Sequence, residues 1–322
     1  MIKHRITTAF RHLYIYVCYA LAISGGIIVF AAAQTFAPAS DLDAVTYYYK
    51  GTIGDKAAFV MRLTHRQSPT NPDKVMLTGD YRYTDKADWI SVAGSYEAGE
   101  LNLGEYEGSD TTHFKAKFKG EFNAGNWLPI GKKKKALPYT IEAFTAVVQP
   151  DYNYSIVQFQ KKGLPRKQLI IKDISTTKTV QILDLDINSG QAERLDMNFD
   201  GYLDMRVAMG DTVISGALNT FYHHYLYNPK TQKLVKDKAL NSMKNATFDP
   251  QTATATTNWI ANDSNYDTDT YQYENGAYSL TQRVERNNID AKNIKEVTIL
   301  YKTVKNKLKE VGRKTVLVKS QL

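Results

Sequence analysis

The sequence predicts an all-β protein, an antiparallel hairpin series that follows an N-terminal signal or anchor helix. Tyrosine is unusually frequent, at 22 of 322 residues, and threonine and valine recur in short runs, a composition that favours strands. Alternating segments follow one another at roughly ten-residue spacing, with glycine near the predicted strand ends. Such spacing is typical of an antiparallel meander, a barrel or a sandwich.

The first 33 residues form a predicted export segment. Three lysines or arginines precede an uncharged stretch from Leu13 to Ala33, and the alanines at 31–33 resemble a signal-peptide cleavage site. The apolar stretch is also long enough to span a membrane, so cleavage and retention as an anchor both stay open. Cys18 is the only cysteine and lies in this segment, so the exported protein would be held together without a disulfide.

The rest of the chain divides into predicted regions at changes in composition. Residues 34–44 form a linker, 45–148 an N-terminal antiparallel β region, 149–290 a second β region that begins near Pro150, and 291–322 a basic C-terminal β-hairpin around Gly312. The clearest single hairpin has Asn275-Gly276 at its turn, since these residues suit the two positive-φ positions of a type I′ turn.

A calcium-loop motif lies in the second β region. Its spacing is D-x-N-x-D-G-x-x-D, the first nine positions of an EF-hand loop. Calcium prefers six to eight oxygen ligands, and the glycine at position 6 permits the sharp turn that brings the first side chains together. The predicted calcium ligands are the side chains of Asp196, Asn198 and Asp200, the carbonyl of Tyr202, and Asp204 directly or through water.

The flanks of this motif differ from those of an EF-hand. Position 12 is Val207, where an EF-hand has a bidentate glutamate, so Glu193, Asp186 or water would complete the ligand shell. Alternating residues on both sides predict that the loop joins two strands. The alternative is an Asx-rich turn without a metal, because Asp and Asn side chains bond their own backbone in turns.

Three other polar features have weaker functional interpretations. His223 and His224 are adjacent on a predicted strand, point to opposite faces and cannot share a metal. The lysines at 132–135 predict a solvated hairpin tip or a contact with an anionic surface. The carboxylates of Asp263, Asp267 and Asp269 predict a solvated loop, or otherwise a second calcium site or an acidic patch that faces a partner.

No sequence pattern indicates catalysis or nucleic-acid binding. The chain has no Gly-x-Ser-x-Gly motif and no phosphate-binding loop. The basic segment at 291–322 has nine lysines or arginines against two glutamates, but no nucleic-acid motif accompanies it. We therefore predict a protein that is not an enzyme and does not bind nucleic acid.

Three segments together resemble a known family. They are Tyr49–Gly54, Leu195–Asp204, and Tyr225–Leu234 followed by Phe248–Pro250. In their order they resemble a family of secreted bacterial all-β proteins that includes the calcium-binding immunity protein of the antibacterial type IV secretion system. The resemblance covers most of residues 45–285. It implies a β-propeller-like domain, bound calcium at the five predicted ligand positions, and inhibition of a lysozyme-like peptidoglycan hydrolase by an inserted loop.

The first functional hypothesis is an exported, periplasmic or cell-envelope, calcium-binding inhibitor or immunity protein. Its partner would be a peptidoglycan hydrolase or toxin effector, and it would touch a membrane only through an uncleaved N-terminal segment. The alternative is a cell-surface or periplasmic glycan-binding or adhesion module with exposed Tyr and Trp side chains as stacking platforms. A hydrolase built on a β fold is the third hypothesis.

Overall fold

The computed structural model describes residues 35–36, 44–107, 110–130, 135–144, 147–148, 151–162, 164–186, 190–214, 217–262, 265–288, 293–304 and 307–319. The predicted export segment, most of the linker, the lysines at 132–134, Pro150 and Asp263 lie outside these residues. Within the described residues there is no helix long and apolar enough to cross a membrane.

The described chain consists of strands and one short 3-10 turn, Leu240–Ser242. The first nine strands are β1 Thr35–Phe36, β2 Val45–Ile53, β3 Ala57–Gln67, β4 Lys74–Tyr83, β5 Ile90–Glu97, β6 Glu100–Glu107, β7 Asp110–Gly120, β8 Ala124–Pro129 and β9 Leu137–Ala143. The next seven are β10 Tyr152–Lys161, β11 Leu164–Asp173, β12 Thr179–Leu185, β13 Ala192–Leu195, β14 Asp204–Ile214, β15 Ala217–Asn228 and β16 Lys233–Lys236. The last six are β17 Thr247–Asp249, β18 Thr254–Asn262, β19 Asn265–Glu274, β20 Ala277–Asn288, β21 Asn293–Val304 and β22 Lys307–Lys319.

Strands β2 to β9 form a closed eight-stranded barrel. Each strand pairs antiparallel with the next, and β9 pairs back with β2, where Ile53 lies opposite Tyr139. The interior is filled by alternate side chains such as Phe59, Tyr81 and Phe118, all of which are buried. The barrel is one of the three architectures that the strand spacing predicted, and in this region it replaces the propeller that the resemblance implied.

Several glycines allow close approach between barrel strands, and Gly79 and Gly94 are two of them. A Cβ atom added to Gly79 would lie 2.0 Å from the carbonyl oxygen of Arg62, and one added to Gly94 would lie 1.9 Å from that of Asn102. Any larger residue would therefore force the neighbouring backbone to move. These glycines mark points where neighbouring strands approach each other too closely for a side chain.

The second half of the chain is built onto the outside of the barrel. Strand β13 pairs in parallel with β2, with Arg194 opposite Val45, and β14 to β16 extend the same sheet. A four-stranded sheet in the order β1-β10-β11-β12 shares a hydrophobic core with β14 and β15 through Ile156, Leu169 and Met205. The remaining six strands, β17 to β22, form a third sheet in sequence order.

The structure confirms the all-β class and the antiparallel hairpin series. It also confirms the predicted type I′ turn, since Asn275 and Gly276 have φ values of 53° and 80° between β19 and β20. The C-terminal hairpin exists, but its predicted turn is wrong. Gly312 lies inside β22, opposite Leu300 at a β-bulge, and the two strands instead connect between Val304 and Lys307.

Candidate metal centre

The nine-residue loop with calcium-motif spacing connects β13 to β14. These strands pair antiparallel, with Leu195 opposite Asp204 at the base of the loop. The turn requires positive φ values at Phe199 and Gly201, 58° and 85°, and the glycine meets this requirement without a steric cost. The prediction that the motif joins two strands is confirmed.

The first three predicted ligand side chains lie together inside this loop. Asp196 is 1% exposed, and its two carboxylate oxygens accept hydrogen bonds from the backbone N–H groups of Asp200 and Gly201, at 3.2 and 3.0 Å. The amide of Asn198 donates to Asp200 Oδ2 at 3.0 Å, and Asp200 Oδ1 accepts from the N–H of Tyr202 at 3.0 Å. The loop is therefore wound around its own oxygen-bearing side chains.

Asp204 has a different position from the other predicted ligands. It is fully buried, and its Oδ1 accepts from the N–H of Tyr227 at 2.7 Å while Oδ2 accepts from the N–H of Met197 at 2.8 Å. The first bond fastens the end of the loop to β15, and the second fastens it to the start of the loop. The Asp204 carboxylate therefore stabilises the closed shape of the loop by joining its two ends to each other and to β15.

The electrostatics of the loop favour a cation. Burial, followed by the charge of Asp200, raises the pKa of Asp196 to about 6 despite the hydrogen bonds that it accepts. Burial likewise raises the pKa of Asp204 well above its ordinary value. Within the described chain, no lysine or arginine forms an ion pair with either residue or with Asp200. A divalent cation would supply the charge compensation that these buried carboxylates otherwise lack.

The oxygen donors of the loop are of the kind that a hard cation prefers, but they are too few to fill its coordination shell. Carboxylate, amide and backbone carbonyl oxygens are the ligands that calcium prefers. However, the described residues contain no group of three or more Asp, Glu, His or Cys side chains that converge well enough to hold a metal ion. A calcium ion here would be bound by Asp196, Asn198, Asp200, the Tyr202 carbonyl and water. Asp204 would support the loop from its buried position without being a main ligand.

The two carboxylates that could have completed the shell are occupied elsewhere. Glu193 accepts hydrogen bonds from the hydroxyl of Thr46 and from Arg206, with Arg206 Nε 2.8 Å from Glu193 Oε2. The carboxylate of Asp186 accepts a hydrogen bond from His223 Nε2 at 2.6 Å. Val207, at position 12 of the motif, is buried in the core between the sheets.

Side-chain contacts between the barrel and the loop region were not predicted from the sequence. Arg206 pairs with Glu193, and Glu193 in turn bonds Thr46 on the barrel strand β2, 147 residues earlier. Arg82 of β4 and Asp249 of β17 form a second such pair at 2.7 Å. No local pattern predicts the Thr46–Glu193 and Arg82–Asp249 contacts, because each joins residues far apart in the sequence. Glu193 and Arg206, by contrast, lie opposite each other in the β13–β14 hairpin.

The two adjacent histidines lie on opposite faces of β15, as predicted. The imidazole of His223 contacts Asp186, whereas His224 is fully buried and neither of its ring nitrogens has a hydrogen-bond partner. Burial and, second, the charge of Arg206 lower the pKa of His224 to about 3. His224 is therefore a neutral core residue.

The interpretation of Asp267 and Asp269 as part of a solvated loop is wrong. Both lie in strand β19, and Asp269 is 9% exposed. Its carboxylate accepts two hydrogen bonds from the guanidinium of Arg283, both at 2.7 Å. The polar composition of the segment concealed its pairing with β18 and β20, because an inward carboxylate is tolerated when a bidentate arginine neutralises it.

A groove lined by both polar and apolar side chains lies on the outer barrel wall. It has a volume of about 610 Å³. The Lys50 ammonium and the Glu142 carboxylate lie 3.2 Å apart at this groove. Its other polar or aromatic lining residues include Thr52, Thr84, Asn123, Thr140, Phe144 and Gln251.

Comparisons with known proteins found little that is similar. No protein-family description and no curated protein matches the chain. A solved structure of a Xanthomonas type IV secretion system related protein is similar over 52% of this chain and 84% of its own, with 20% identity and a TM-score of 0.33. A likeness this distant does not transfer a partner or an activity.

Proposed function

We propose that the chain is an exported, calcium-stabilised, non-enzymatic binding protein that inhibits a peptidoglycan hydrolase. The observation that carries the binding role is the hairpin of β21 and β22, which leaves an unusual number of large apolar side chains in solvent. An accumulation of exposed apolar side chains on one hairpin of a soluble protein indicates an interaction site. The exposed residues are Leu300, Val304, Leu308, Val311, Val316, Leu317 and Val318.

The charge of this hairpin restricts the kind of partner. Its described residues include seven lysines or arginines and two glutamates. Strand β22 is also the outer strand of its sheet, so one of its edges is available for pairing. Glycan-cleaving hydrolases carry two catalytic carboxylates in an open cleft. A basic, partly apolar hairpin complements such a cleft, whereas a strongly basic enzyme surface would repel it.

The calcium loop would contribute rigidity to this scaffold. It lies between β13 and β14, and its neighbour Tyr278, in the sheet that contains the hairpin, donates a hydrogen bond to the carbonyl of Met197. A cation bound by Asp196, Asn198 and Asp200 would fix the loop, and through Tyr278 it would support the third sheet. In this proposal calcium has a structural role and takes part in no reaction.

The test is peptidoglycan hydrolysis by a panel of lysozymes and toxin hydrolases with the full chain added in calcium buffer. We expect stoichiometric inhibition of at least one enzyme with an acidic cleft. The pair Lys307→Glu and Lys309→Glu in β22 should weaken it, while the matched pair Lys230→Glu and Lys233→Glu, at the β15–β16 turn, should not. Inhibition that survives the β22 pair would rule out the hairpin, and a panel without any inhibited enzyme would rule out the inhibitor function.

The groove on the barrel favours a second candidate, a glycan-binding module. Hydroxyl and amide side chains together with aromatic rings are suited to a sugar, and 610 Å³ is within the usual range for a small-molecule site. Chitotriose should then bind, and Asn123→Ala should weaken that binding while leaving hydrolase inhibition unchanged. Absence of chitotriose binding would remove this candidate.

A further inference from the structure

A second polar recess lies between the barrel wall and the loop region. It has a volume of about 160 Å³ and is bounded by β2 and β3 on one side and by β13, β14 and β17 on the other. We call it the arginine cleft. Its polar lining residues are Thr46, Tyr48, Arg62, Thr64, Glu193 and Arg206.

Tyr48 is the cleft residue that best indicates what kind of ligand the cleft could bind. Its side chain is 3% exposed, and its hydroxyl has no hydrogen-bond partner. Burial raises the pKa of Tyr48 far above its ordinary value, so the group is a neutral O–H donor at any physiological pH. A buried hydroxyl without a partner is costly, which makes an acceptor in the cleft favourable.

Arg62 offers a second donor. Its Nη2 binds Asp80 Oδ2 at 2.7 Å and its Nε binds Asp80 Oδ1, which leaves Nη1 without a hydrogen bond to any described residue. The guanidinium also stacks on the ring of Trp89, with 4.5 Å between its Cζ and the ring centroid. The guanidinium is thus held in a fixed orientation at the cleft wall.

The acceptors of the cleft are already satisfied. Glu193 receives hydrogen bonds from Thr46 and from two nitrogens of Arg206, and the third nitrogen, Arg206 Nη1, binds the carbonyl of Ala246 at 2.7 Å. The Glu193 charge is therefore neutralised locally. The donors left over are the neutral Tyr48 hydroxyl and Nη1 of Arg62, whose charge is balanced by Asp80.

We propose that the arginine cleft binds a small carboxylate, with one oxygen on the Tyr48 hydroxyl and the other on Arg62 Nη1. A ligand that fits must bring acceptors, and the remaining Nη1 edge of a guanidinium is a geometric match for a carboxylate oxygen. The volume limits its size, since an engineered cavity of about 150 Å³ holds benzene. The cleft therefore takes about six non-hydrogen atoms, enough for acetate, propionate or the carboxyl terminus of a peptide.

The test uses the full chain at constant ionic strength. Sodium acetate and sodium propionate should raise the thermal midpoint in a saturable manner and give saturable binding by calorimetry, whereas sodium chloride should not. Tyr48→Phe should weaken carboxylate binding about tenfold, the effect of one hydrogen bond, without lowering the stability of the ligand-free protein. Tyr81→Phe removes a buried hydroxyl from the barrel interior and is the matched control, which should bind acetate like wild type.

Two further comparisons identify the source of the carboxylate. Triglycine with a free C-terminus should bind if the natural ligand is a polypeptide terminus, and it should fail to bind if only a free small acid fits. Amidated triglycine should not bind in either case. Equal effects of acetate and chloride, unchanged acetate affinity in Tyr48→Phe, or equal binding of free and amidated triglycine would each overturn the proposal.

Discussion

Replacing His224 with leucine should reduce the sensitivity of the fold to acid. The imidazole is fully buried, both ring nitrogens lack partners, and its ring lies 6.4 Å from that of Phe248. Burial and, second, the charge of Arg206 lower its pKa from an ordinary 6.5 to about 3. The folded protein therefore excludes a proton that the unfolded chain binds readily.

The sign and size of the effect follow from this difference. The unfolded chain takes up the proton as the pH falls through 6.5, and the folded chain does so only near pH 3. The stability that depends on neutral His224 is complete above pH 6.5 and is lost progressively as the pH falls towards 3. Between pH 7 and pH 4 this one group should cost about 3 kcal/mol of unfolding free energy.

The assay is urea unfolding of wild type and His224→Leu at a series of pH values. We expect the variant to be at least as stable at pH 7, since it removes two unsatisfied ring nitrogens, and to lose about 3 kcal/mol less by pH 4. His65, whose pKa burial lowers to about 4, contributes an acid loss common to both proteins. Parallel profiles for wild type and His224→Leu would refute the reasoning.

Three further predictions concern the loop, the barrel and the buried ion pair. Calcium at a hundredfold excess over its Kd should add about 2.7 kcal/mol to the unfolding free energy, and Asp200→Asn should abolish most of this gain in a titration with chelator as the reference. Gly79→Ala should cost about 3 kcal/mol in urea unfolding, because its Cβ would lie 2.0 Å from a backbone oxygen, whereas Gly312→Ala, with its nearest atom at 3.6 Å, should be neutral. Glu193→Gln should cost about 3 to 5 kcal/mol at pH 7 because it leaves the Arg206 charge buried and unpaired. Burial alone would raise the pKa of Glu193, but Arg206 outweighs it and holds that pKa below its usual value, so this cost should shrink as the pH falls through the folded pKa.

The parts of the fold that the sequence predicts are those set by neighbouring residues. Turn chemistry placed Asn275 and Gly276 correctly because a type I′ turn depends on the two residues at its centre. The same reasoning wrongly predicted a turn at Gly312. A glycine inside a strand can also mark a bulge, and only the register of β21 against β22 distinguishes the two cases.

The candidate site was predictable as a loop but not as a set of contacts. The spacing of Asp196, Asn198 and Asp200 is local, and the structure places these side chains together in one turn. The position of Asp204 depends on β15, 23 residues further on, so the motif gave no sign that both its oxygens bind backbone N–H groups. The arginine cleft could not be predicted for the same reason, since Tyr48 on β2 and Arg206 on β14 line one cleft only because β13 pairs with β2.

The loop is held in shape by parts of the chain that its motif does not contain. The carbonyl of Gly201 accepts from the N–H of Val148 at 2.7 Å, Asp204 accepts from the N–H of Tyr227, and Met197 accepts from the Tyr278 hydroxyl. If each bond contributes about 1 kcal/mol to preorganisation, their loss would weaken calcium binding on the order of 100-fold. A peptide of residues 193–206 should therefore bind calcium at least that much more weakly than the full chain in paired calorimetric titrations. Equal affinities would mean that the motif alone organises the ligands and that the surrounding sheets contribute nothing to the site.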